Sequence, residues 1–140
     1  MTNSLLATDC RAAKYWGPDL LDTDGQLDVE TATIDAFCDE ASIGHIDILK
    51  LDVQGAEYAV LKGAERMLDR HSIGVVYLEI IVAPTYSGQK SLQDYLALFA
   101  SRGYELFDCY NPVRWRGRLL QTDNIFVSQA ILDEYEKRVP

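Results

Sequence analysis

Apolar positions along the chain recur with two periods, and the order of the two is informative. Ile46-Asp-Ile-Leu-Lys-Leu-Asp-Val53 is rich in Ile, Leu and Val with few polar breaks, the pattern of a strand buried on both faces in a parallel sheet. After the break at Gly55, residues Ala59, Val60, Leu61, Ala64, Met67 and Leu68 fall at helical spacing. Glu57 stands near the start of that helix, where a carboxylate favours the helix dipole. The unit then repeats. Gly74 to Val82 is a second apolar, β-branched strand, and Leu92, Tyr95, Leu96, Leu98 and Phe99 mark an amphipathic helix capped by Ser91 and stopped at Gly103. Two consecutive strand–helix units predict a parallel sheet with right-handed crossovers.

The flanks are less regular. Leu27 to Thr33 alternates enough to be read as a strand, and Thr33 suits the N-cap of a helix in which Ile34, Phe37, Cys38 and Ala41 share a face, ended by Gly44. Residues 1–26 form an irregular lead-in, interrupted by Gly17-Pro18 and the turn-like Asp22-Thr-Asp-Gly25, with a short helical turn near Thr8 to Tyr15. Downstream, Tyr104 to Cys109 and Gln121 to Ser128 read as strands joined by a loop containing Asn111-Pro112 and Gly117, close enough to pair as an antiparallel hairpin. A last helix is expected over Ala130 to Arg138. The predicted architecture is one α/β domain over residues 1–140, with its core at 27–140. Its open sheet is mostly parallel and ends in an antiparallel strand.

Composition narrows the function classes. At 140 residues the chain can bury about two thirds of its unfolded surface, so its core needs no disulfide or structural metal. A net charge of −9 and a pI near 4.5 argue against partners such as nucleic acid or an anionic membrane. The whole excess lies in residues 1–59, which hold twelve Asp and Glu against three Lys and Arg. Cys10, Cys38 and Cys109 are odd in number, far apart and without ligand spacing to histidine, so neither a disulfide framework nor a metal site is expected. With no signal-like start and no long apolar stretch, a cytoplasmic protein is expected.

Ligands of open α/β sheets sit beyond the carboxyl ends of the strands. Two places there carry chemistry. The first is Lys50-Leu-Asp-Val-Gln-Gly-Ala-Glu57, which delivers Asp52 and Gln54 to the sheet edge, with Gly55 permitting a sharp turn. The second is Glu79, a carboxylate inside the apolar run Val75 to Val82, which must be paired, protonated or functional. Each has a plain structural alternative: backbone amides for Asp52, a salt bridge to Lys50 for Glu79, helix-start electrostatics for Glu57. Arg114, Arg116 and Arg118 could clamp an anionic substrate or form a solvated hairpin tip with Trp115 tucked inward. Tyr86 could line a pocket or simply pack, and His45 and His71 suit loop roles. No two of the nine glycines are closer than eight residues, so G-x-G-x-x-G and the phosphate-binding P-loop are both absent, as is G-x-S-x-G.

The stretch Ile46 to Ala64 resembles the signature of the FkbM-family methyltransferases, a strand reading I-D-x-x-K-x-D-x-[EQ]-G-x-E that runs into V-L-x-G-A. Thr33-Ile-Asp-Ala-Phe37, Tyr77-Leu-Glu-Ile80, Gly103-Tyr-Glu-Leu-Phe107, Asp123-Asn-Ile-Phe-Val127 and Asn3-Ser-Leu-Leu6 are similar to further family segments. The resemblance implies the carboxyl-terminal part of a Rossmann-like class I methyltransferase sheet, its fourth to seventh strands. It also implies S-adenosylmethionine as cofactor and a hydroxyl on a small molecule or sugar as methyl acceptor.

On that reading Asp52 and Glu79 are catalytic, with Asp52, Gln54 and Gly55 at the cofactor and Glu57, Tyr86, Arg114 and Arg116 at the substrate. The glycine-rich turn and the acidic residue that hold the rest of the cofactor have no counterpart, which implies a chain incomplete and inactive alone. Rival readings are a half-domain that completes its cofactor site with a partner, and a non-catalytic α/β binding or assembly module. With the family's first strand missing, the edge of 46–53 is open, and a homodimer through it is expected, unless Leu27 to Thr33 covers it.

Overall fold

Strands form where β-branched and aliphatic residues run together, and the caps fall where the polar punctuation lies. The computed structural model describes residues 3–18 and 25–138, so the turn-like Asp22-Thr-Asp-Gly25 lies largely outside the described residues. The elements are α1 (Ala13–Trp16), α2 (Ile34–Glu40), β1 (Ile46–Leu51), α3 (Glu57–Lys62), α4 (Glu65–Asp69), β2 (Ile73–Ile81), α5 (Leu92–Ala100), β3 (Tyr104–Trp115), β4 (Arg118–Ser128) and α6 (Gln129–Glu136). Thr33 Oγ1 caps α2 by accepting the Ala36 N–H at 3.1 Å. Ser91 and Asp94 form a full capping box at the start of α5.

The four strands lie in the order β1-β2-β4-β3. Only β1 and β2 are parallel; β4 returns antiparallel between β2 and β3. The sheet is therefore α/β as expected but not mostly parallel, because the long hairpin supplies two of its four strands. Asn111-Pro112 is not a loop. Asn111 takes a positive φ of 49° and the β3–β4 register shifts between Tyr110 and Val113, so the pair is absorbed as a bulge inside the ladder.

Two further expectations fail for want of a partner. Leu27 to Thr33 forms no strand, and Leu27 and Val29 are 91% and 63% exposed. Accordingly β1 is an edge strand among the described residues, not one buried on both faces, and Ile48 is 66% exposed. On α2 the expected common face divides: Cys38 is buried and Ile34 packs against the core, while Phe37 is exposed.

The core sits on one face of the sheet. Val76, Leu78 and Ile80 are fully buried with Leu61 of α3, Leu68 of α4 and Leu98 and Phe99 of α5, whereas Val75, Tyr77 and Glu79 are only half-buried. Phe99 stacks on Phe126 with ring centroids 3.9 Å apart, joining α5 to β4. Phe99→Ala is expected to destabilise the chain by about 3–5 kcal/mol, measured as a lowered urea midpoint. A loss below about 1 kcal/mol would contradict this account of the core.

Candidate functional site

The turn after β1 is the most constrained backbone of the site. Gln54 and Gly55 both adopt positive φ, 51° and 92°. A side chain at residue 55 would be strained at that φ and would place its Cβ 2.7 Å from Tyr86 Cδ2, so glycine is required twice over. Glu57, 1% exposed, holds the turn from behind: its Oε1 accepts the N–H groups of Val53 at 3.0 Å and Gly55 at 3.3 Å. Burial pushes its carboxyl above the usual range, and the charge of Asp52 adds to that shift. Glu57, expected at the substrate, is thus placed inside the turn.

In front of the turn the polar side chains converge. The Gln54 amide donates to Asp52 Oδ1 at 3.1 Å and to Glu79 Oε2 at 3.3 Å, and its Oε1 accepts the Tyr86 hydroxyl at 3.1 Å. Gln121 of β4 donates to Glu79 Oε1 at 2.8 Å. Lys50 lies 3.8 Å from Asp52 rather than bridging to Glu79. Asp123, the residue opposite Glu79 in the ladder, accepts the Tyr77 hydroxyl at 2.7 Å and the Asn111 amide at 2.8 Å. Lys50, Asp52, Tyr77, Glu79 and Asp123 line a polar cleft of about 190 Å³ on the face of the sheet opposite the core.

Four expected residues therefore meet: Asp52, Gln54, Glu79 and, through its hydroxyl, Tyr86. Arg114 and Arg116 do not join them. Arg114 lines a separate cleft with Leu92, Leu106 and Pro112, and Arg116 stacks on Trp115 at the hairpin tip. Asp123, Gln121 and Tyr77 were missed as site residues. Alternation along β4 could have put Asp123 and Gln121 on one face, but only the antiparallel register sets them against Glu79.

Three carboxylates sharing one cleft raise the cost of ionising the most enclosed. Burial, then the charges of Asp52, Glu57 and Asp123, lift Glu79 from its ordinary value to about 6, against a smaller lowering by the Gln54 amide. Glu79 can accept a proton near neutrality, and the cleft presents carboxylate oxygens to a cation or to hydroxyl groups.

An open α/β domain with a carboxylate and amide site at the carboxyl ends of its parallel pair is the class defined by this fold and geometry. The Methyltransferase FkbM domain model matches residues 2–106, well over half of the chain, and the chain belongs to that family. A 78-residue stretch is 37% identical to the 2-O-methyltransferase NoeI of Sinorhizobium fredii; it makes up 56% of this chain and only 31% of that protein. No solved structure matches the chain. Among the described residues no helix is long and apolar enough to cross a membrane.

The raised value for Glu79 has a definite sign. The folded state holds its proton to higher pH than the unfolded chain, so its contribution to stability is full below about 4.5 and is lost as pH rises through about 6. Glu79→Gln should therefore gain stability relative to the parent between pH 4.5 and pH 7, and the Glu79 carboxyl carbon should titrate near 6 by NMR. A midpoint at or below 4.5 would contradict the arrangement described.

Proposed function

We propose that the chain contributes the hydroxyl-activating side of an S-adenosylmethionine-dependent O-methyltransferase acting on a small molecule or sugar. The observation that carries this reading is the convergence of Asp52 and Glu79 on one Gln54 amide at the strand ends, inside the segment that matches the family. The residues fit one part of the cofactor: a cleft rich in carboxylates suits a sulfonium cation, and Asp52, Gln54 and Gly55 would flank it. They do not fit the rest, since the 140 residues contain no glycine-rich turn.

When bound, S-adenosylmethionine supplies an electrophilic methyl group. What remains for the chain's own residues is to place a hydroxyl and remove its proton. Asp52, more than half exposed, is the carboxylate best able to meet an entering hydroxyl. Glu79 would take up the proton, since a base that titrates near 6 is mostly ionised at pH 7 yet basic enough to accept. In a complete family domain, Asp52→Ala should abolish methyl transfer with folding intact. Unchanged turnover would remove Asp52 from the reaction. Titration of S-adenosylmethionine into this chain alone should give no calorimetric binding, and tight binding would overturn the claim that it is incomplete.

The outer edge of β1, unpaired among the described residues, favours a second reading, in which the site is completed by another polypeptide or a second copy. Ile48, exposed on that edge, is suited to an added strand. On this reading the chain sediments as a dimer at micromolar concentration; a monomer would count against it.

A further inference from the structure

The β3–β4 hairpin turns on Arg116 and Gly117, whose φ angles of 48° and 80° are both positive, as a two-residue type I′ turn requires. Trp115 and Arg118 are the register pair that flanks it. Tyr15 of α1 meets Trp115 edge-on at 5.8 Å. Arg118 lies 5.4 Å over the Tyr15 ring and donates to its hydroxyl oxygen at 3.2 Å. Arg116 lies 4.7 Å over Trp115, and Lys14 lies 5.5 Å over Tyr15. Among the described residues, none of these three cations forms an ion pair with a carboxylate, although the chain carries a net charge of −9.

Cations left unpaired in an acidic protein, and held on aromatic faces, have lost part of their side-chain freedom before any ligand arrives. Guanidinium groups so fixed offer forked donors to an oxyanion. One segment also connects the tip to the turn after β1. Thr8 bridges to Tyr86, Trp16 Nε1 donates to Thr85 Oγ1 at 2.7 Å, and Ser4 Oγ donates to the Gln54 carbonyl at 2.7 Å. Residues 4–16 therefore run from the β1 turn to the hairpin. Along β4, Arg118 and Asp123 are five residues apart, about 17 Å at ~3.4 Å per residue. A free phosphate or a single sugar cannot span that distance. Anionic membranes and nucleic acids are opposed by the overall charge.

We propose that Lys14, Arg116 and Arg118, framed by Tyr15 and Trp115, form a subsite for an oxyanion, carboxylate or phosphate, on an extended saccharide acceptor whose hydroxyl reaches Asp52 and Glu79. Its role toward an acceptor rests on the methyl-transfer reading; the anion site itself does not.

The test reads binding without turnover. Calorimetric titration with tetragalacturonate at low salt should give micromolar binding, while neutral maltotetraose should give none. Arg116→Asn, a residue suited to positive φ, combined with Arg118→Gln should weaken binding about tenfold or more, the equivalent of about 1.4 kcal/mol. Arg70→Gln, an exposed arginine just ahead of the opposite end of β2, should leave it unchanged. Far-UV circular dichroism checks that the variants fold. No binding, equal binding of maltotetraose, an equal loss in Arg70→Gln, or binding to phosphatidylglycerol vesicles in place of the oligosaccharide would each overturn the subsite. None of these outcomes touches the methyl-transfer reading, which stands or falls with Asp52→Ala.

Discussion

Glu57 accepts the Val53 and Gly55 N–H groups from a position shielded almost completely from water, and the carboxyl end of the sheet is arranged around that contact. A buried carboxyl that lost these donors would be costly, so the turn and the acid constrain each other. The positive φ angles of Gln54 and Gly55 follow from the tightness of the turn, and they aim the Gln54 amide across at Glu79. The same Gly55 leaves room for the Tyr86 ring, whose hydroxyl fixes the other end of the Gln54 amide. One buried acid thus specifies where two catalytic candidates stand.

The sheet separates stability from chemistry by its two faces. Val76, Leu78, Ile80 and Phe126 bury against α3, α4 and α5, while the alternate residues Tyr77, Glu79 and Asp123 stay half-buried over an open cleft. Glu79 and Asp123 face one another across β2 and β4, a pairing of like charges that a purely structural ladder would avoid. Their amide and phenol partners offset part of the repulsion; the raised proton affinity of Glu79 comes first from its burial and then from the charges of Asp52, Glu57 and Asp123. Such perturbed groups in clefts are where function is ordinarily found.

Much of this was legible from residue order. The strands β1 and β2, the caps at Thr33 and Ser91, and the placing of Asp52, Gln54 and Glu79 at strand ends follow from local periodicity and punctuation. The failures share a cause, since each depended on what lies beside an element. Leu27 to Thr33 has the alternation of a strand but nothing to pair with. Asn111-Pro112 has the signature of a loop, yet the neighbouring β4 absorbs it as a bulge. Asp123 and Gln121 enter the site only through an antiparallel register that no local pattern encodes.

Native-state hydrogen exchange at the Val53 and Gly55 amides tests the central role of Glu57 most directly. In the parent both amides should be protected. In Glu57→Ala both should lose that protection, while Leu78 in the middle of β2 keeps its own. Equal protection of the two turn amides in parent and variant would contradict the account, because the turn would then hold its shape without the acid.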